Sequence, residues 1–120
     1  MTQHYIGTKI VVAWEQEKDC QPGYAVKYQD GYISWCPKAQ FEEANVALGH
    51  IGNLPPHQQR VVAEYKQLDD RIEKLRAFLK TPMFAGLSET EQNMLKVQGD
   101  AMTSYLLVLD ARIEHFGGAV

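Results

Sequence analysis

The chain has 120 residues, of which 45% are hydrophobic and 22% are charged, and its formal net charge is −3. This acidic balance argues against a general binder of DNA, RNA or acidic membranes, which usually carries a basic excess. The sequence contains no apolar run of about 18 residues and no secretory pattern, and its cysteines are too few for a disulfide scaffold. A cytoplasmic protein without a membrane span is therefore expected.

The N-terminal part has the patterns of β-strands and a hairpin. Residues 5–13 are rich in β-branched and aromatic residues and predict a strand, whereas the polar residues 14–23 predict a loop. Residues 24–28 and 32–35 predict two further strands. The Asp30-Gly31 pair between them is a strong hairpin signal.

A short helix is predicted to follow the hairpin. Pro37 fits its first turn, Phe41, Ala44 and Leu48 share one face, and Gly49 is expected to end it. Residues 1–49 should thus form a small ββ(β)α module. Residues 50–56 are rich in proline, glycine and asparagine and predict a linker.

The segment from Gln58 to Lys80 predicts a long amphipathic helix, which begins near residue 57. Its apolar residues alternate at spacings of four and three, which is the heptad pattern of a helix that packs against other helices. They are Val61, Tyr65, Leu68, Ile72, Leu75 and Leu79. Proline disfavours helical geometry at the preceding residue, so Pro82 should end this helix.

A second long helix is predicted from Ser88 to about Phe116. Ser88 and Glu91 match a capping box at its start, and Gly117 and Gly118 are expected to stop it. Its predicted apolar stripe consists of Leu95, Met102, Tyr105, Leu106, Leu109, Ile113 and Phe116.

These elements predict an α+β fold: a small N-terminal module that contains a β-hairpin, followed by a long antiparallel helical hairpin over residues 57–120. Two helices share one mutual interface and cannot enclose a core alone. Either the N-terminal module or other copies of the chain must cover the hairpin. The heptad pattern favours other copies, and hence a homo-oligomer.

Catalysis and metal binding have little support in the sequence. The four histidines are scattered without the spacing of metal ligands. Cys36 before Pro37 could be a stabilised thiolate, but a half-buried structural thiol is the more common case. Asp69, Asp70 and Glu73 alternate with basic residues, which indicates a solvated helix face with ion pairs. We expect no enzyme, no metal and no cofactor.

The first long helix nevertheless suits an anionic aromatic ligand. It carries six basic and four acidic residues between Pro56 and Lys80, and the basic residues crowd its C-terminal end. Tyr65 and Phe78 offer aromatic faces to bases, and lysines offer charge to phosphates. Tyr65 also lies on the heptad seam, so a packed core tyrosine is at least equally consistent with its spacing.

Four sequence patterns in residues 55–116 carry a family resemblance. They are QQRVV-x-E-Y-x-x-L-D, K-L-x-A-F-L-K, the F-x-x-L connection, and Q-x-x-x-M-x-x-Y-x-x-x-L-x-x-R-I-x-x-F. This half of the chain resembles the phage anti-CBASS sponges, which sequester cyclic oligonucleotide signals. The resemblance implies a non-enzymatic hexamer that holds cyclic dinucleotides between protomers and cyclic trinucleotides at separate sites.

The resemblance also implies ligand-binding residues. The family's tyrosine and lysine, fifteen residues apart, fall on Tyr65 as a base-contacting ring and on Lys80 as a phosphate contact. Lys66 is added from charge alone, because it lies beside Tyr65. An oligomeric protein-interaction module without a nucleotide ligand remains the alternative function.

The first half of the chain has a separate resemblance. YIGTKIV and GYAVKYQDGYISWCPKAQFEEA are similar to a small module found in phage proteins, including some Thoeris anti-defence proteins. Here the module precedes a different domain, so the resemblance transfers no binding residues. An assembly module, a solubility module and a second ligand site all remain open.

Overall fold

The computed structural model describes residues 2–118 of the chain, and the side chains of residues 2–116. The chain folds into two compact units, Met1–Asn45 and Val46–Val120. The first contains a small antiparallel sheet and a short helix, and the second contains two long helices packed as a hairpin. The predicted α+β class is confirmed. The last two residues of the predicted 57–120 segment lie outside the described part.

The sheet of the first unit has three antiparallel strands in the order β1-β2-β3. The strands are β1 (Val12–Glu15), β2 (Gly23–Lys27) and β3 (Ile33–Pro37). Trp14 of β1 and Trp35 of β3 both pair with Ala25 of the central strand. Residues that are directly opposite share one face of a sheet. One face therefore carries both tryptophans, with Ala25 buried between them.

The predicted strand at residues 5–13 is wrong over most of its length. Only Val12 and Ala13 of that segment pair with β2, and the observed strand continues through Trp14 and Glu15. β2 ends at Lys27, opposite Val12, because the chain turns there into the next hairpin. Residues 5–11 thus have high β-propensity but no partner strand, and propensity without pairing does not make a strand.

Two tight turns connect the strands. The hairpin at Asp30-Gly31 is confirmed: Gly31 has a φ of 91°, and the Tyr28 N–H donates to the Tyr32 carbonyl over 2.9 Å. The predicted 14–23 loop contains a second turn, in which Asp19 and Cys20 have φ values of 51° and 62°. Positive φ at both central residues is the signature of a two-residue hairpin turn, usually formed by Asn-Gly or Asp-Gly. This turn lacks glycine, which is why the sequence did not predict it.

Helix α1 (Lys38–Ala44) is shorter than predicted and excludes Leu48. Asn45 ends it in an extended conformation, and its side-chain amide donates a 3.0 Å hydrogen bond to the Phe41 carbonyl. Phe41 stacks on Tyr24 of β2, with ring centroids 4.4 Å apart. This aromatic contact fastens the helix to the sheet.

The second unit is built from α2 (Pro56–Phe78) and α4 (Glu89–Gly118). Val61, Leu68 and Ile72 of α2 are buried together with Leu109 of α4. Residues of both helices pack around this core: Tyr65, Met102, Leu106, Ile113 and Phe116. The predicted heptad seam is therefore covered by α4 of the same chain, so the seam itself does not require other copies.

A short helix, α3 (Pro82–Ala85), lies in the connection between α2 and α4. The Thr81 hydroxyl donates to the Phe78 carbonyl over 2.6 Å and accepts from the Phe84 N–H over 3.3 Å. This capping ends one helix and begins the next. The Ser88 hydroxyl likewise accepts from the Glu91 N–H over 3.2 Å, as the capping-box pattern predicts.

The predicted end of α4 at Phe116 is two residues too early, since the helix continues to Gly118. Within the described part of the chain, no helix is both long enough and apolar enough to cross a membrane.

Replacing Ile72 by alanine should test the core of the hairpin. Ile72 is 2% exposed, and removing a buried isoleucine side chain typically costs about 2–5 kcal/mol of unfolding free energy. Urea unfolding followed by far-ultraviolet circular dichroism measures this loss. Ile6→Ala is the matched control, because Ile6 is 93% exposed and should change stability by less than about 0.5 kcal/mol. Equal effects of the two variants would contradict the packing.

Replacing Gly23 by alanine should destabilise the first unit. A Cβ atom at Gly23 would overlap the indole of Trp35, whereas one at Gly7 would meet open space. Overpacking of this kind costs about 1–3 kcal/mol. Both tryptophans of the chain, Trp14 and Trp35, lie in this unit, so their fluorescence during urea unfolding reports on it directly. Gly7→Ala should leave that transition unchanged, and an unchanged transition in Gly23→Ala would refute the close contact.

Candidate ligand-binding site on the helical hairpin

Tyr65 lies in the middle of α2, at the edge of the hairpin core. Its side chain is half-buried and packs against the cluster formed by Val61, Leu68, Ile72 and Leu109. The spacing therefore identified a core contact correctly, but the burial is partial. A half-buried tyrosine can stabilise the hairpin and still present part of its ring to a ligand.

The surroundings of the Tyr65 hydroxyl are acidic. Burial raises the pKa of Tyr65 above its ordinary value, and the nearby carboxylates of Asp110 and Asp69 raise it further. The phenol is therefore neutral at physiological pH. Two carboxylates at this point repel a phosphate group, so this environment suits the contact of an aromatic ring with a base better than a contact with phosphate.

Lys80 lies in the connection just beyond the end of α2, and it is exposed. Its backbone N–H donates to the Ala77 carbonyl over 3.2 Å, and the N–H of Thr81 donates to Phe78 over 3.0 Å. Gln92 of α4 steadies the same connection, because its amide group donates to the carbonyls of Phe84, Ala85 and Leu87 at 3.1–3.2 Å. Lys80 therefore lies in a hydrogen-bonded connection, and its side chain is exposed to solvent.

The structure does not bring the three predicted residues together. Lys66 is adjacent to Tyr65 and exposed, and none of the salt bridges of the described residues includes it. Lys80 follows Tyr65 by fifteen residues, and a helix of that length rises by about 22 Å. Tyr65 and Lys80 therefore lie at two separate places on one chain.

The acidic residues of α2 behave as predicted for a solvated face. Lys74 pairs with Asp70 at 3.0 Å, and Arg76 pairs with Glu73 at 3.2 Å. These exposed pairs add little stability, and they involve Asp70 and Glu73 but neither Glu64 nor Asp69. Lys80, beyond the end of α2, takes part in none of the salt bridges of the described residues.

The role of Tyr105 differs from the sequence prediction. Its spacing predicts a place in the apolar stripe of α4, yet the residue is 44% exposed and its hydroxyl donates to the Glu64 carboxylate of α2 at 2.5 Å. Arg71 and Arg112 lie near enough to act on the phenol electrostatically. The sequence does contain a signal for this cross-helix cluster. Glu64 and Arg71 are seven residues apart on α2, and Tyr105 and Arg112 are seven residues apart on α4.

No group of three or more His, Cys, Asp or Glu residues is placed to hold a metal ion in the described residues. Cys20 is an exposed free thiol, and Cys36 is a half-buried one. The arrangement that remains is a rigid helical scaffold with a tyrosine ring and separated cations. Such a set of residues can bind an anionic aromatic molecule through stacking and charge.

The fold and these residues define a class: a small α+β protein whose long helical hairpin carries the candidate binding residues. Comparison with protein families gives a match to Sequestin over residues 55–115. The chain belongs to this family. The match covers α2, α3 and almost all of α4, and it contains Tyr65, Lys66 and Lys80.

A phage protein is similar to the same half of the chain. It is described as the uncharacterized 7.5 kDa protein in the denB-rIIB intergenic region of Enterobacteria phage T4. The two are 40% identical over 60 residues, which is 50% of this chain and 94% of the phage protein. The relative therefore consists almost entirely of the part that matches the hairpin. No solved structure matches this chain.

Replacing Glu64 by glutamine should lower the pKa of Tyr105. The hydrogen bond to Glu64 is the main reason that this pKa lies above the ordinary 10.0, because ionising the phenol would break it and place two negative charges together. The hydrogen bond contributes fully to the free energy of unfolding below pH 10. This contribution is lost as the pH rises through the raised pKa of Tyr105. In Glu64→Gln, tyrosinate absorbance during an alkaline titration should show one tyrosine that ionises at a lower pH than in wild type. The titration of this tyrosine should be absent from Tyr105→Phe. An identical titration in wild type and Glu64→Gln would contradict the contact.

Proposed function

We propose that the chain is a phage anti-defence sponge, which binds cyclic di- or trinucleotide immune signals in the host cytoplasm without cleaving them. The observation that carries the proposal is the Sequestin match over residues 55–115, which spans the complete hairpin connection and all three candidate ligand residues. The phage T4 relative of the same segment supports a phage setting.

The chemistry of the hairpin supports separate roles for the candidate residues. Tyr65 contacts a base through its ring, since the carboxylates of Asp69 and Asp110 disfavour a phosphate beside its hydroxyl. Lys80 contacts phosphate, since it is exposed on the connection beyond α2. Lys66 adds positive charge beside the base contact.

The separation of Tyr65 and Lys80 supports a site that is shared between protomers. Fifteen residues separate them, which corresponds to a rise of about 22 Å at helical geometry, and the proposed site takes the two residues from different protomers. A second copy of the chain supplies the missing partner residue. The proposed assembly is a homo-oligomer, and the family resemblance implies a hexamer.

Sequestration requires no chemical step. A sponge lowers the free concentration of a signal by mass action, so it needs high affinity and many sites rather than catalysis. Residues on rigid helices limit the ordering cost of binding, which favours high affinity. The hydrogen bonds that fix the connection around Lys80 serve the same purpose.

Replacing Tyr65 or Lys80 by alanine should weaken cyclic dinucleotide binding by at least about tenfold, or 1.4 kcal/mol, in isothermal titration calorimetry. Tyr65→Phe retains the ring and should keep most of the affinity. Lys74→Ala is the matched lysine control, because Lys74 is exposed on α2 and pairs with Asp70. If both alanine variants bound the cyclic dinucleotide as tightly as wild type does, the assignment of Tyr65 and Lys80 to the binding site would be wrong.

The alternative function is an oligomeric protein-interaction module without a nucleotide ligand. The exposed apolar residues on the outer side of α4 favour an interaction with protein. The two functions differ in one property. A cyclic nucleotide that binds the folded state raises the melting temperature of the protein. An adaptor without a nucleotide site shows no change in melting temperature with any cyclic di- or trinucleotide.

A further inference from the structure

Helix α4 has two apolar faces, and only one of them packs against α2. The inner face includes the buried Leu109 and the partly buried Leu106 and Ile113. The outer face is different: Met94, Val97 and Val108 are large apolar residues that remain more than half exposed. An exposed apolar strip of this length on a small protein marks an interaction surface.

The outer face has the spacing of a helix-pairing seam. Its positions alternate at intervals of four and three and contain no Asp, Glu, Lys or Arg. We call these eight exposed residues the outer seam: Thr90, Met94, Val97, Ala101, Ser104, Val108, Ala111 and His115. A heptad seam of this kind extends over about 38 Å. The small residues Ala101 and Ser104 at its centre allow a second helix to approach closely.

A shallow depression lies at one end of the outer seam. It is an open depression of about 340 Å³, lined by Thr90, Asn93, Met94 and Val97. These lining residues are mainly apolar or neutral, so the depression suits an apolar helix surface rather than a charged ligand.

The charges beside the outer seam complement those of a second copy in antiparallel orientation. In the antiparallel register considered, Val97 lies opposite Val108 of the partner subunit. Glu91 then lies beside Arg112 of the partner subunit. The two-fold axis produces a second, identical ion pair. Both residues are exposed, and the salt bridges within residues 2–116 include neither of them. In a parallel pair they would stay about 32 Å apart along the axis.

The phage T4 relative corresponds to the helical hairpin of this chain. The matching segment makes up 94% of that protein, which leaves almost nothing to correspond to residues 2–45 of this chain. A domain of about 60 residues buries too little surface to be more than marginally stable alone. Burial against a second copy of the hairpin would add to that marginal stability.

We infer that α4 pairs with α4 of a second copy in antiparallel orientation through the outer seam. The inference rests on the assembly part of the proposed function and deepens it. The pairing leaves α2 on the far side of each hairpin from the partner. A nucleotide site shared through Tyr65 and Lys80 then needs a second, different contact, so the complete assembly is larger than a dimer.

The first test uses the full-length protein without nucleotide, in sedimentation velocity over a concentration series. Val97→Glu should weaken self-association by at least about tenfold, because two buried carboxylates would meet apolar residues. Val12→Glu is the matched control: Val12 is 64% exposed and Val97 66%, and Val12 lies in the first unit. It should assemble as wild type does. A monomeric wild type, or equal effects of the two variants, would overturn the inference.

A charge exchange tests the orientation. Glu91→Arg and Arg112→Glu should each weaken self-association by about tenfold, because each places like charges beside one another. The double variant restores both pairs and should recover the wild-type constant within about threefold. Additive weakening in the double variant would overturn the antiparallel pairing. Since no nucleotide is present, failure of the ligand-binding proposal leaves this result unaffected.

Discussion

The packing of Leu109 of α4 against the buried residues of α2 is the constraint on which the hairpin depends. Leu109 is completely buried, and Val61, Leu68 and Ile72 surround it in one small cluster. Because this core is one residue layer deep, a few buried side chains fix the register of two long helices. The register then determines which side of each helix is left for binding and assembly.

The same register separates the charges of the hairpin. Tyr65 comes to lie near Asp110 across the interface, while Glu64 on the adjacent position meets Tyr105. Lys80 stays at the far end, on a connection held by Thr81 and Gln92. Tyr65 and Lys80 are thus fifteen residues apart along one chain. In the proposed function a second chain brings these two residues to one ligand.

Local signals predicted much of the fold from the sequence. The Asp30-Gly31 turn, the Ser88 cap and the two long helices depend on neighbouring residues and were correct. The strand at 5–13 failed because pairing, rather than propensity, decides where a strand exists. Asn45 ends α1 through a side-chain hydrogen bond that the apolar spacing of Leu48 does not reveal.

The candidate site was less accessible to sequence reasoning. Spacing and charge left Tyr65 open between a core residue and a base contact, and only the family resemblance singled out Tyr65 and Lys80 as a pair. The hydrogen bond of Tyr105 to Glu64 was missed because it depends on the register between two helices. The outer face of α4 was missed for a related reason: its exposed apolar residues stand out only after α2 is known to cover the other face.

Native mass spectrometry of the full-length protein with a series of cyclic di- and trinucleotides is the most direct test of the sequestering function. We expect an oligomer that gains intact, unmodified nucleotide in a fixed ratio to its subunits. An oligomer that binds no cyclic nucleotide, or that releases a linear product, would contradict that function.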